Sequence, residues 1–104
     1  MKKLSLLSIF FIFQLHASDF FIIDVRTPEE FSNGHVEESI NYEWQEIALK
    51  IRDIDKNEKI YLYCRSGNRS QKATNILLDL GYKDVTNLGS LDEAAAFLDK
   101  KVTK

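Results

Sequence analysis

The stretch Lys59-Ile-Tyr-Leu-Tyr-Cys64 is followed directly by Arg65-Ser-Gly-Asn-Arg69-Ser70. The first part is a short, mainly apolar run that ends on a cysteine, which predicts a buried β-strand. The second part is polar and contains a glycine, which indicates a loop, and the residues after it return to helical spacing. A helix that begins here points its N-terminus and its free backbone N–H groups at the end of the strand. The stretch therefore predicts a strand–loop–helix unit built around the sulfur of Cys64.

Cys64 is the only cysteine among the 104 residues. A lone cysteine is commonly a small buried hydrophobe. Two arginines, a glycine and two serines follow this one within six residues, however, and an electropositive loop of that kind favours the thiolate. We therefore expect Cys64 to be a reactive nucleophile. The anion-binding loop that we expect around it consists of Arg65, Ser66, Gly67, Asn68, Arg69 and Ser70.

The rest of the chain alternates predicted strands with predicted helices. Residues 20–25 are apolar except for Asp24, as in a buried parallel strand. The segment from Thr27 to Glu30 carries the signals of a capped helix start, and Asn33-Gly34 carries those of its end. The later elements are a short strand at 39–42, an amphipathic helix at 44–53, a helix ending at Gly81, a strand at 85–87, a turn at 89–90 and a last helix over 91–98. This alternation predicts an α/β fold with a mostly parallel central sheet flanked by helices.

Polar residues also follow the first predicted strand. In parallel sheets the working site lies beyond the carboxyl ends of the strands, where Cys64 is expected. Asp24 and Arg26 fall at the corresponding end of the strand over 20–25. We expect these two residues to support the site by organising this end of the sheet, without taking part in the chemistry.

Residues 1–17 have the pattern of a secretory signal peptide. A basic start and an apolar run from Leu4 to Phe13 are followed by small residues. The apolar run is shorter than the roughly 20 residues of a membrane-spanning helix. We expect cleavage after Ala17 or after Ser18, with an uncleaved anchor as the alternative. Cleavage would leave a single exported domain of residues 18–104, free of the membrane.

Charge and composition exclude other classes of function. The net charge is −2 at pH 7, and it becomes about −4 when Lys2 and Lys3 leave with the signal peptide. An acidic chain without a basic stripe is not expected to bind nucleic acid. No set of His, Cys and Asp residues has the spacing of metal ligands, so we expect no metal and no other cofactor.

Three motifs resemble those of the rhodanese family of sulfurtransferases. They are Asp24-Val-Arg-Thr-Pro-Glu-Glu-Phe31 with Gly34-His35-Val36, then Tyr63-Cys64-Arg-Ser-Gly-Asn-Arg69-Ser70, then Gly81-Tyr82 and Val85 with Leu88-Gly89. The match covers essentially all of residues 18–104 and is most similar to small periplasmic single-domain rhodaneses of the phage-shock type. The resemblance implies a rhodanese-like fold. Many family members have another strand and helix ahead of the first motif, so we expect a fold trimmed at the N-terminus.

The resemblance also implies the activity of a thiosulfate sulfurtransferase. Cys64 would take the sulfane sulfur of thiosulfate as a persulfide and pass it to cyanide or a thiol acceptor. Four residues separate Cys64 from Arg69, a loop length that suits sulfur in the family, whereas related phosphatases and arsenate reductases have one residue more around a tetrahedral oxyanion. The alternatives are a non-enzymatic persulfide carrier and, less favoured, a small cysteine-dependent phosphatase or arsenate reductase. We expect a monomer or a weak homodimer.

Several loop residues have two interpretations. Arg69 would steady the loop or hold the sulfonate of the donor, and the resemblance favours the first. Arg65 would recruit anionic donors or be a solvated side chain. Ser66 and Ser70 would donate hydrogen bonds to the sulfur, although Ser70 is equally suited to be the N-cap of the next helix. His35 is expected to be a structural residue between a helix and a strand.

Overall fold

The computed structural model describes residues 20–104, and a four-stranded parallel sheet forms their centre. The predicted signal peptide and both predicted cleavage points lie outside the described residues. The strands are β1 (Phe20–Asp24), β2 (His35–Val36), β3 (Ile40–Asn41), β4 (Lys59–Cys64), β5 (Asp84–Ser90) and β6 (Val102–Thr103). The helices are α1 (Pro28–Asn33), α2 (Ile47–Lys50), α3 (Asn68–Asp79) and α4 (Leu91–Leu98), with 3₁₀ turns at Trp44–Glu46 and Ile51–Asp53.

The central strands lie in the order β3-β1-β4-β5, which confirms the predicted α/β fold with a parallel sheet. Asp24 at the end of β1 pairs with Tyr63, the residue before Cys64. The carboxyl ends of β1 and β4 therefore meet, as the sequence predicts. Because β4 has a strand on each side, Cys64 is placed at the middle of this edge of the sheet.

Alternating side chains of the strands pack under helices on the two faces of the sheet. Ile23 and Leu62 lie in a core with Ile47 of α2 and Leu77 of α3. Cys64 belongs to the same face. On the opposite face a second core forms, and its buried members are Ile22, Val36, Tyr63 and Ala94. This two-residue alternation with helical cover on both faces is what the apolar strand runs predict.

β5 is longer than predicted. The strand continues through Gly89 to Ser90, so the predicted turn at 89–90 is wrong. Leu62 of β4 pairs with Asn87, whereas Cys64 pairs with Ser90, so β5 carries one extra residue over this interval. Gly89 has a φ of +93°, a conformation that glycine adopts easily. The glycine that suggests a turn therefore marks a β-bulge at the strand end.

The predicted helix over 44–53 is also interrupted. Only Ile47–Lys50 is α-helical, and a 3₁₀ turn lies on each side. Neither Glu43 nor Glu46, the residues that precede the first two segments, caps its backbone with a side-chain hydrogen bond. Because short helices without caps are marginal, the ends tighten into 3₁₀ geometry. Within residues 20–104, none of the helices has the length and apolar character needed to cross a membrane.

A small second sheet is not predicted by the sequence pattern. β2 and β6 pair in antiparallel fashion, with His35 opposite Thr103 and Val36 opposite Val102. Each strand has only two residues, too few to show an alternation of apolar and polar side chains. The pairing ties the end of the described chain to the segment that follows α1.

Candidate active site

The sulfur of Cys64 lies at the junction of β4 and α3, surrounded by hydrogen-bond donors. The backbone N–H of Gly67 donates to Sγ at 2.9 Å, and the N–H of Ser70 lies at 3.4 Å. The hydroxyl of Ser70 lies 3.3 Å from the same atom. Gly67 precedes the first residue of α3 with a φ of +100°, which turns the loop back over the strand end. The predicted arrangement, with loop amides and a helix N-terminus directed at one sulfur, is therefore confirmed.

The hydrogen bonds at Cys64 favour its thiolate. Burial raises the pKa of the thiol, since Cys64 is 0% exposed. The hydroxyl and amide of Ser70 and the amides of Gly67 and Ser66 act in the opposite direction and together outweigh burial. The pKa of Cys64 consequently lies below its ordinary value. A thiolate held by donors at this position is suited to nucleophilic attack without a general base.

Ser70 belongs to the first turn of α3 and is not its N-cap. Helix α3 begins at Asn68 with Gly67 as the capping residue, so the alternative role of Ser70 as N-cap is wrong. Its buried hydroxyl contacts both Cys64 and Asn87 Oδ1, the latter at 2.6 Å. The sequence motifs do not identify Asn87 as a site residue. Asn87 is a polar residue of low strand propensity within β5, two residues before Gly89, and this is the signal in the sequence that could identify it.

Arg69 extends from the loop to α1. Its Nη1 and Nη2 donate to Oε1 and Oε2 of Glu30 at 2.8 and 3.1 Å. The hydrogen bond from Arg69, followed by the contacts with Thr27, lowers the pKa of Glu30 to about 2. Of its two expected roles, Arg69 therefore has the geometry of the one that steadies the loop. Glu30 completes this pair, although the sequence identified it only as part of a helix cap.

Asp24 and Arg26 form a buried ion pair at the end of β1. Arg26 Nη2 lies 2.7 Å from Asp24 Oδ2, and its Nε donates to Oδ1 at 2.9 Å. Arg26 Nη2 also donates to the carbonyl of Gly34, which closes α1. Asn41 Nδ2 donates to the carbonyls of Asp24 and Arg26. These contacts support the expectation that the pair organises this end of the sheet.

His35 and Tyr63 make structural contacts away from the sulfur. His35 stacks on the ring of Phe31 and its Nδ1 lies 2.8 Å from the Phe31 carbonyl, which confirms a structural residue between α1 and β2. The N–H of Val36 donates to the hydroxyl of Tyr63 at 2.9 Å. Burial raises the pKa of Tyr63 to about 12, so this hydroxyl stays neutral at physiological pH.

An open cavity of about 350 Å³ lies next to the loop. Two arginines, Arg26 and Arg65, and two acidic residues, Glu30 and Asp92, are among the residues that line it. Arg65, Ser66 and Asn68 are exposed, and within residues 20–104 the hydroxyl of Ser66 makes no hydrogen bond to the sulfur. The predicted loop is thus divided into residues that face the sulfur, chiefly Gly67 and Ser70, and residues that face solvent.

Within residues 20–104, no three His, Cys, Asp or Glu side chains are grouped as a metal site.

The comparisons with known proteins agree with this geometry. The sequence model of the rhodanese-like domain matches residues 13–96. The chain is 36% identical over 96 residues to the thiosulfate sulfurtransferase PspE of Escherichia coli K12. The aligned region covers 90% of this chain and 91% of that protein.

Solved structures show the same relationship. A rhodanese with anions from E. coli is 36% identical, with a TM-score of 0.67 over 70% of this chain and 88% of that one. The Alr3790 protein from Anabaena sp. shares the fold with a TM-score of 0.75 at 23% identity, over 83% of this chain and 69% of that one. The resemblance noted in the sequence motifs is confirmed, and the chain belongs to the rhodanese-like domain family.

Proposed function

We propose that this protein is a thiosulfate sulfurtransferase in which Cys64 is the catalytic nucleophile. The observation that carries the proposal is the sulfur at the end of β4, which accepts hydrogen bonds from Gly67 N–H and from Ser70. These donors favour the thiolate that sulfur transfer requires. The identity to PspE, whose name states this activity, supports the same reaction.

In the first half-reaction the Cys64 thiolate attacks the outer sulfur of thiosulfate. A new S–S bond forms on Cys64, and the bond to the sulfonate sulfur breaks with its electron pair, so sulfite leaves. The product is an anionic persulfide, and no proton is transferred. The amides of the loop and the N-terminus of α3, which hold the thiolate, are positioned to stabilise this anion as well.

In the second half-reaction a nucleophilic acceptor attacks the outer sulfur of the persulfide. Cyanide would leave as thiocyanate, and a thiolate acceptor would leave as its own persulfide. The S–S bond breaks with its electron pair on Cys64, which returns to the thiolate. Because the acceptor binds after sulfite has left, the kinetics should be ping-pong.

The pairing of Arg69 favours sulfur transfer over phosphate or arsenate chemistry. A tetrahedral oxyanion needs the closing arginine to face the bound anion. Here the guanidinium is engaged by both oxygens of Glu30. Arg65, which is exposed and lines the open cavity, is better placed to attract an anionic donor.

We also propose a periplasmic location after cleavage of a signal peptide at 1–17, which leaves residues 18–104 as one rhodanese domain. The basic, apolar and small-residue pattern of the first residues supports this. A persulfide on a chain without another thiol cannot be lost to an intramolecular disulfide, which suits an oxidising compartment. N-terminal sequencing of protein recovered from the periplasm would identify the cleavage point.

Intact-mass measurement tests the proposed activity. Wild-type protein incubated with thiosulfate should gain the mass of one sulfur atom and lose it on addition of cyanide, with release of thiocyanate. Cys64→Ser should do neither, and equal thiocyanate production by both proteins would exclude the mechanism. Loading by thiosulfate without turnover on any small acceptor, but with transfer to a protein thiol, would instead identify a persulfide carrier.

A further inference from the structure

Asn87 contacts Gly67 and Ser70, two of the residues that donate hydrogen bonds to the Cys64 sulfur. Its Nδ2 donates to the carbonyl of Gly67 at 3.1 Å, and its Oδ1 accepts from the hydroxyl of Ser70 at 2.6 Å. Gly67 N–H and the Ser70 hydroxyl are in turn 2.9 and 3.3 Å from Sγ. One amide side chain on β5 therefore connects Gly67 and Ser70, which both donate to the sulfur.

The orientation of this amide is fixed by its neighbours. The N–H of Gly89 donates to Oδ1 at 2.9 Å, which requires an acceptor at that position. The backbone carbonyl of Gly67 can only accept, so the side-chain atom 3.1 Å from it must be the amide nitrogen. The oxygen of Asn87 must consequently face Ser70, and its nitrogen must face Gly67. Asn87 pairs with Leu62, two residues before Cys64, so its side chain lies on the same face of the sheet as the sulfur.

We propose that Asn87 is a positioning residue for sulfur transfer, which holds Gly67 and Ser70 where they donate hydrogen bonds to the sulfur of Cys64. It acts through these two residues and makes no contact with the reacting atoms. The relevance of Asn87 to catalysis rests on the proposed function, whereas its effect on the pKa of the Cys64 thiol does not. Loop amides stabilise an anion only when they are held in place, because otherwise the loop must first be ordered around the charge.

Because Ser70 contacts both Asn87 and the sulfur, the sign of the pKa change at Cys64 in an Asn87 variant distinguishes two roles for Asn87. Its hydroxyl has one proton and two acceptors within reach, Asn87 Oδ1 and Cys64 Sγ. If Asn87 mainly positions the donors, its removal raises the pKa of Cys64. If Asn87 mainly draws the Ser70 proton away from the sulfur, its removal lowers that pKa.

The test is a pH titration of the thiolate by its ultraviolet absorbance, with Cys64→Ser as the blank. Asn87→Ala should move the midpoint up by about one pH unit, a roughly tenfold drop in the thiolate fraction below the midpoint, because about one charge-assisted hydrogen bond is lost. Thr86→Ala, at the exposed neighbouring position of β5, is the matched control and should leave the midpoint unchanged. Circular dichroism and the Tm establish that each variant is folded.

An unchanged midpoint with a lower Tm would mean that Asn87 merely supports β5, and would overturn the proposal. A lower midpoint would overturn it as well, in favour of competition for the Ser70 proton. Should Asn87→Ala fail to fold, Asn87→Thr has a higher strand propensity and a side chain too short to reach Gly67. The titration needs no sulfur donor, so wild-type protein that titrates normally but accepts no sulfur would contradict the proposed function alone.

Discussion

Glu30 and Arg69, which are 39 residues apart, form a two-contact ion pair between α1 and the loop around Cys64. Oε1 of Glu30 also accepts from the N–H of Thr27, so the same carboxylate caps α1 and holds the loop. The guanidinium is thereby kept on the α1 side of the loop. The ion pair therefore fixes the position of the loop around Cys64 relative to α1.

Glu30→Gln should weaken the pair and loosen the loop. Gln retains a capping oxygen for Thr27 but loses the charge that Arg69 contacts. We expect the free energy of unfolding to fall by about 1 kcal/mol, a value reduced by solvent screening because both side chains are more than a quarter exposed. Sulfur transfer to cyanide should also slow. Urea unfolding and thiocyanate production measure the two effects.

The control for this substitution is Glu29→Gln. Glu29 lies next to Glu30 in α1 and is exposed, so the change in net charge and in helix sequence is the same. We expect little change in stability or activity. Equal losses of stability and activity in the two variants would show that the charge on α1 matters and the ion pair with Arg69 does not.

The pKa of Glu30 predicts how stability depends on pH. The folded-state pKa is about 2, below the ordinary value of 4.5, so the unfolded chain binds this proton more readily. The stabilisation is therefore complete above about pH 4.5 and is lost as the pH falls from 4.5 towards 2. Unfolding by urea at several pH values in this range should show a smaller decline for Glu30→Gln than for wild type. If the free energy of unfolding declined equally with pH in the two proteins, the pH dependence could not be assigned to Glu30.

Arg65→Ala tests the recruitment of the anionic donor. Arg65 is exposed and lines the open cavity, so its loss should leave the Tm unchanged. The value of kcat/KM for thiosulfate should fall at low ionic strength, and the difference from wild type should shrink as salt is added. Arg52→Ala removes another exposed arginine, one outside the loop, and should have no such effect. A salt-independent loss would indicate a role other than long-range attraction.

The sequence predicts the parts of the site that depend on local patterns. The apolar run ending on Cys64 and the glycine at 67 specify a strand, a tight loop and a helix start, and all three are present. Thr27 and Glu30 likewise form the expected capping box. Each of these features is decided by residues within a few positions of one another.

Tertiary contacts decide what the local patterns leave open. Asn87 reaches Ser70 across 17 residues of sequence, from a strand position that pairs with Leu62 of β4. The choice of Glu30 as partner of Arg69 depends on how α1 is placed against the loop. Neither contact produces a periodic signal, so each becomes visible only when β1, β4 and β5 are set in register.

Gly67→Ala should impair the site more than the fold, and Gly81 provides the comparison. Gly67 and Gly81 have φ values of +100° and +99°, so alanine is strained by about 1 kcal/mol or more at either position. An added Cβ would be in ordinary contact at both, 3.5 Å from Gly89 Cα and 3.6 Å from Lys56 Cδ. Similar losses in Tm are therefore expected for the two variants.

Only Gly67→Ala should alter the reactivity of Cys64. Relief of the strain requires φ at residue 67 to change, and this moves the N–H that lies 2.9 Å from Sγ. The thiolate midpoint should rise and loading from thiosulfate should slow, whereas Gly81→Ala, at the far end of α3, should match wild type in both. Equal thiolate midpoints in the two variants, at equal Tm, would show that the amide of Gly67 contributes nothing to stabilising the sulfur anion.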